Sequence, residues 1–284
     1  MKIPDDAKIL SVDLKIKNLV ASINFFSTLL GFKEIKRNDK TSYLSANGNL
    51  PYLISLTEDK NSIPKPPGTT GLFHIAIRFP SRKELARVFL RLFDHKVKFQ
   101  GFSDHLVSEA IYLLDPDENG IELYADKPRS EWVWQMGEIQ MDTLPLNLNV
   151  ITNELDDRNV WNRIHPETDI GHIHLRASDL RKAEEFYFRL LGFNISSSSY
   201  NGALFFAAGK YHHHVGTNIW QSRNGSHPPE KSVGLISYTI NIADKNYLTQ
   251  LEQSAKQQNV LFEPFDGKSL TILDFDKNKI RLTL

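Results

Sequence analysis

The chain has 284 residues, an apolar share of 40%, and 34 basic against 34 acidic side chains, so its formal charge is zero. With no long run of one sign, a nucleic-acid groove or a polybasic membrane patch is not expected. The complete lack of cysteine excludes disulfides, thiolate metal sites and a cysteine nucleophile, so any metal must be held by histidine and carboxylate.

The length suits roughly two globular domains. Met1 to Ile9 mix Lys, Asp and Pro, and no apolar run approaches the ~18 residues that span a bilayer. No export signal is visible and a cytoplasmic location is expected. The first element, Leu10 to Leu30 (LSVDLKIKNLVASINFFSTLL), opens on period-2 alternation, meets a polar break, runs on at helical spacing and stops at Gly31. That is strand, helix, strand. Gly71 to Phe93 (GLFHIAIRFPSRKELARVFLRLF) repeats the opening, with Ser81 and Glu84 spaced as a capping box. Ala110 to Tyr124 (AIYLLDPDENGIELY) reads as two strands joined by a hairpin-like turn at Asp117–Gly120.

Residues 127–168 are polar and broken by Pro128, Pro145 and Pro166, yet carry Trp132, Trp134 and Trp161, which predicts an ordered linker packed on the domains. Gly171 to Leu191 (GHIHLRASDLRKAEEFYFRLL), followed by Gly192-Phe193, matches Leu10 to Leu30 closely. The strand and helix recur in Val233 to Ala255, and the strand pair in Leu270 to Leu284 around Asp276–Lys279. The predicted architecture is α+β, four βαβββ modules in two domains, residues 9–126 and 169–284. One such unit has a concave sheet face it cannot close alone, so units pair around a cavity lined by inward strand positions.

The DPDENGIELY turn, the FHIAI strand, and the HIHL strand followed by SDL and LLGF resemble the vicinal oxygen chelate superfamily of glyoxalases, bleomycin resistance proteins and type I extradiol dioxygenases. Within it they resemble the catechol-2,3-dioxygenase-like branch. The resemblance covers nearly the whole chain except the linker. It implies metal ligands early on the first strand and midway along the last strand of each module. Those positions hold Ser11 and about Ser55 in the first module, His74 and Glu122 in the second, His172 and about Asn218 in the third, and Leu235 and Arg281 in the fourth.

The set His74, Glu122 and His172 is the two-histidine, one-carboxylate kind that leaves positions open on non-haem Fe(II). It requires the second and third modules to face each other. The alternative pairing, second with first and third with fourth, leaves His74 and Glu122 to find a third ligand in His105 or water. A buried histidine is more often a hydrogen-bonded core residue than a ligand, but Glu122 on the same inner face is costly to bury unpaired. His174 shares the face of His172 by alternation and is expected beside it.

The resemblance also implies a base and proton donors from Tyr112, His105, and His213 or His214 of the run His212-His213-His214. That run also fits a surface metal-scavenging tract or a pH-sensitive loop. The expected activity is extradiol ring cleavage of a small aromatic diol with O2 and iron as the metal, with Mn, Co, Ni and Zn suited to the same ligands. Glyoxalase-like isomerase or thiol transferase chemistry and non-catalytic sequestration of an aromatic molecule are the rival readings. A homo-oligomer is compatible with the sequence, and no nucleic-acid or membrane partner is expected.

Overall fold

The computed structural model describes residues 1–155, 161 and 163–284; residues 156–160 and 162 of the expected linker lie outside the described residues. The first module runs β1 (Lys8–Ile16), α1 (Leu19–Ile23), β2 (Lys33–Arg37), β3 (Thr41–Ser45) and β4 (Ile54–Glu58). The second is β5 (Gly71–Phe79), α2 (Arg82–Asp94), β6 (Phe99–Asp104), β7 (Ser108–Leu114) and β8 (Gly120–Asp126). The connection carries β9 (Trp134–Gln135), β10 (Glu138–Ile139), β11 (Leu144–Pro145) and α3 (Leu148–Thr152). The third module is β12 (Asp169–Arg176), α4 (Leu180–Ala183), β13 (Asn194–Ser197), β14 (Ala203–Ala207) and β15 (Val215–Asn218). The fourth is β16 (Gly234–Asn241), α5 (Lys245–Gln257), β17 (Phe262–Glu263), β18 (Ser269–Leu273) and β19 (Lys279–Thr283).

Local chemistry sets the helix ends. Asn18, Ser81, Asp179 and Asp244 each accept a backbone N–H of the first turn, the Ser81 hydroxyl from Glu84 at 3.3 Å. After α1 and α4 the helix widens into a π turn, over Asn24–Leu29 and Glu184–Leu190, a shared feature that apolar spacing does not reveal. Gly31 (φ +84°) and Gly192 (φ +71°) end these two helices in the left-handed region. Both Asp-rich hairpins are tied by a buried aspartate. Asp115 accepts from the Asp117 and Asn119 backbone and from the Asn119 amide, and Asp274 does the same around Asn278.

Two sheets result. In the nine-stranded one the order is β11-β6-β7-β8-β5-β12-β15-β14-β13, so the second and third modules share it through antiparallel β5 and β12. In the eight-stranded one the order is β17-β18-β19-β16-β1-β4-β3-β2, which joins the fourth module to the first. Each sheet thus draws one module from each half of the chain.

Alternation fixes the faces of the larger sheet. Ile75, Ile77, Ile111, Leu113, Ile121, Leu123, Ile173 and Leu175 belong to the main apolar core, and each fully buried side chain of this kind contributes about 1.5–3 kcal/mol. Residues one step away, among them His74, Ala76, Tyr112, Glu122 and His172, face the other side. A one-residue slip would bury the ionisable set in the apolar core, so the pattern specifies the register.

Within the connection Trp132 is buried against Val107, Ile139 and Tyr211 and donates its indole N–H to the Val107 and Lys127 carbonyls. Trp134 is instead 40% exposed beside the fully exposed Met136 at the tip of the β9–β10 hairpin. Among the described residues no helix is long and apolar enough to cross a membrane.

Candidate metal centre and cavity

The register of β8, β5 and β12 brings three donors together. Ala76 on β5 lies opposite Glu122 on β8 and opposite His172 on β12. His74 stands two residues earlier on β5, on the same face. His172 Nε2 lies 3.1 Å from Glu122 Oε2 and His74 Nε2 lies 2.8 Å from the same oxygen, all three side chains being at most 7% exposed. The His74 nitrogen makes this approach without the alignment of a hydrogen bond. One donor atom of each residue lies within 4.8 Å of the others.

Close packing behind the set is demanding. A Cβ on Gly171, next to His172, would stand 1.7 Å from the Tyr124 hydroxyl oxygen, and Tyr124 is two residues from Glu122 on the same face. That hydroxyl bonds Tyr211 at 2.8 Å, and Tyr211 donates to Asp126. Arg78 ties the three strands from behind, with Nη2 2.7 Å from Asp169 Oδ2 and Nη1 3.4 Å from Asp126.

Electrostatics prepares ligands of the right charge. Burial opposes ionisation of Glu122, but His172 and His74 outweigh it and hold the carboxyl well below the usual range. Burial pushes His172 down to about 4 against the pull of Glu122. At neutral pH the set offers a carboxylate and a neutral imidazole at His172. Nitrogen and carboxylate donors of this kind suit Fe(II), Mn(II), Co(II) or Zn(II) and disfavour a soft-metal assignment, so the residues fit a resident metal.

The centre opens on a cavity of about 430 Å³. His105, Tyr112 and His213 line it with the three donors, and Phe73, Tyr200, Phe205 and Trp220 give it aromatic walls. Phe206, the next residue after Phe205, turns the other way into the apolar core. His105 Nδ1 is 2.8 Å from the Asp142 carbonyl, which can only accept, so this nitrogen carries the proton. Its Nε2, 2.6 Å from the Tyr112 hydroxyl, then accepts from it in neutral His105. Burial, with the charge of Glu122 adding, raises the Tyr112 hydroxyl well above its ordinary range.

The histidine run divides three ways. His213 lines the cavity, its ring centroid 4.0 Å from that of His172. His212 lies behind it, with Nε2 3.0 Å from Asp126 Oδ1 and Nδ1 2.8 Å from His213 Nδ1. His214 is not among the cavity-lining residues; its Nδ1 accepts the Ala208 backbone N–H at 3.1 Å, and its ring packs on Tyr211. His172, His212 and His213 also offer nitrogens within 4.8 Å of one another, but His212 is engaged with both Asp126 and His213.

His174 lines the cavity and accepts from the Asn218 amide at 3.0 Å, so the last-strand position of the third module holds a hydrogen-bond donor and no carboxylate. On the eight-stranded sheet the corresponding region is closed by hydroxyls, with Ser55, Ser237 and Tyr52 all donating to Asp13. Leu235 is partly exposed, Arg281 is exposed, and among the described residues no ligand set forms there. Asp126 and Arg176 were missed as site residues, although alternation puts Asp126 on the face of Glu122, and Arg176 on that of His172 and His174.

Residues 8–123 match the family model of the Glyoxalase/Bleomycin resistance protein/Dioxygenase superfamily. A catechol-2,3-dioxygenase of Bacillus subtilis (strain 168) is 39% identical over 265 residues, 92% of each chain. Glyoxalase I from Zea mays has a similar fold, at 14% identity and TM-score 0.60 over 98% of this chain and 92% of its own. A biphenyl-2,3-diol 1,2-dioxygenase of Rhodococcus globerulus is 26% identical over 114 residues, 40% of this chain and 60% of that one. With sequence likeness along almost its whole length and the fold in agreement, the chain belongs to the glyoxalase/bleomycin resistance/dioxygenase superfamily and is an oxidoreductase of its catechol-2,3-dioxygenase-like branch.

Proposed function

We propose that the protein cleaves the ring of a catechol-type diol beside its two hydroxyls, using O2 and an Fe(II) held by His74, His172 and Glu122. The observation that carries this reading is the convergence of those three donors, from three neighbouring strands, on an aromatic-walled cavity that also exposes His213 and the hydrogen-bonded pair His105–Tyr112. When bound, the iron supplies a Lewis-acidic template that orients diol and O2 and conducts electrons between them.

The protein's own part is positioning and proton transfer. The Asp126 carboxyl is opposed in ionising by burial, but His212 and Arg78 hold it below its ordinary range. As a carboxylate it only accepts, so His212 Nε2 donates to it. A neutral His212 then presents Nδ1 as an acceptor, which the His213 Nδ1–H fills. This leaves the Nε2 lone pair of His213 free. Burial, and then the imidazole of His172, keep His213 neutral well below the usual range, so it can take a catechol proton at neutral pH. General-base catalysis of this kind is worth about 10²–10⁴-fold. Tyr112, its proton directed to His105, keeps its oxygen lone pairs for a hydroxyl of the bound diol. The engaged Asn218 amide speaks against a four-ligand glyoxalase-type centre.

The test is anaerobic reconstitution with Fe(II), then addition of catechol in air with oxygen uptake and absorbance followed together. Stoichiometric oxygen uptake with a yellow ring-opened product supports the reading. Stoichiometric metal binding with no oxygen uptake for any catechol sinks it.

A further inference from the structure

Beyond the ligands and proton-transfer groups, the cavity wall contains one arginine, Arg176. It sits at the end of β12, four residues past His172 and on the same inner face as His174. Its guanidinium lies over the Phe73 ring, 5.6 Å from the centroid, and Phe73 packs in turn against His174 and Trp220. Its Nε is buried without a hydrogen-bond partner, and among the described residues no carboxylate reaches it within ion-pair distance. Two arginines of the facing module are instead paired with carboxylates, Arg78 with Asp169 and Arg82 with Glu109.

A half-buried guanidinium in an aromatic cavity is costly unless something answers its charge. Burial alone lowers its proton affinity, with no acid opposing. A second cation stands nearby: Lys65, which donates to the Asn119 side chain 3.2 Å away, and whose ammonium Arg176 destabilises after burial has done so. Glu118 also lines the cavity, on the exposed turn after β7, but it makes no ion pair with Arg176.

Resting on the proposed catechol chemistry, we infer that Arg176 is a specificity-determining residue and that the preferred substrate is a catechol bearing a carboxylate on the ring or on a short side arm. The diol end faces His74, Glu122 and His172, and the carboxylate meets the guanidinium. A strand rise of about 3.3 Å per residue puts the Arg176 Cα about 13 Å from that of His172. Two inward-pointing side chains and an aromatic ring with a short acidic arm fill such a gap. The planar fork donates two parallel hydrogen bonds to a carboxylate, a match that an ammonium does not reproduce.

The test compares 3,4-dihydroxyphenylacetate with 4-ethylcatechol, similar in size and differing in charge, by anaerobic calorimetric titration of the full chain with and without Fe(II). A charge-assisted pair predicts that the carboxylated ligand binds about 10- to 100-fold tighter. In Arg176→Met the ratio of the two affinities falls to near one, and in Arg176→Lys it stays between these limits, which also shows that the loss is not misfolding. Equal affinities in the wild type, or a preference that survives Arg176→Met, overturn the inference. If the preference is present and no catechol consumes oxygen, the ring-cleavage reading fails while the anion site stands. Oxygen uptake without the preference has the opposite meaning.

Discussion

Replacing Gly171 by alanine should destabilise the fold and damage the metal centre together. The added Cβ would stand 1.7 Å from the Tyr124 oxygen, 2.7 Å from Tyr124 Cζ and 3.2 Å from Arg78 Cβ. The first two separations are closer than non-bonded atoms tolerate, so a fully buried ring or the β12 backbone must move. Forcing one methyl into a packed interior costs about 1–3 kcal/mol. Breaking the 2.8 Å bond between the Tyr124 and Tyr211 hydroxyls adds about 1–3 kcal/mol if it leaves Tyr124 unpartnered. A loss of about 2–6 kcal/mol follows, or roughly 4–24 °C at about 2–4 °C per kcal/mol for a chain of this size.

Thermal unfolding followed by circular dichroism measures it, and metal titration reads the shift of His172 and Glu122. Tyr124→Phe removes the closest contact, so the double variant should be less destabilised than the sum of the single ones. A Gly171→Ala variant within about 0.5 kcal/mol of wild type, or a strictly additive pair, would refute the packing argument.

Further outcomes follow from the same geometry. His213→Asn should lower turnover about 10²–10⁴-fold while leaving metal stoichiometry intact, whereas His214→Phe should cost stability and spare the cavity; stopped-flow oxygen uptake and thermal melts separate the two. Asp126→Asn should slow the same step by disturbing the tautomer of His212, seen as lower turnover rather than weaker diol binding. The Lys65 ammonium is pushed down to about 8 by burial first and Arg176 second, with Asp115 and Glu118 offsetting part of it. A base depressed in the fold penalises the folded state while it is charged. The unfolded chain therefore binds more protons between about pH 8 and the ordinary lysine value, and stability gains as pH rises through that window. Denaturant titrations of wild type and Lys65→Met across it should show the difference moving in favour of wild type.

Much of this molecule is legible before any coordinates, because its four modules repeat the same local signals. Period-2 strands, the glycine stops at Gly31 and Gly192 and the Asp-rich hairpins are short-range features that form where the sequence predicts them, whereas of the capping box only the Ser81 half forms, Glu84 turning to Arg87. The pairing of the second module with the third follows from one chemical demand, a third ligand for His74 and Glu122, and β5 and β12 do lie side by side. The wall holding His212 to His214 is less legible. Residues 208–214 form turns rather than a strand, so alternation gives no rule for which ring faces the cavity. The Asp126–His212–His213 chain depends on a contact between residues 86 apart. Trp134 misleads because an aromatic side chain signals packing on average, while this one sits on a hairpin of two-residue strands.

The most direct test of the account is anaerobic Fe(II) binding to His172→Ala, since His172 is the ligand contributed by the third module while the other two come from the second. The account predicts one iron per wild-type chain, and loss of that iron in His172→Ala as in His74→Ala and Glu122→Ala. Full iron occupancy and oxygen uptake in His172→Ala, with loss only in the other two, would contradict a centre shared between the two modules.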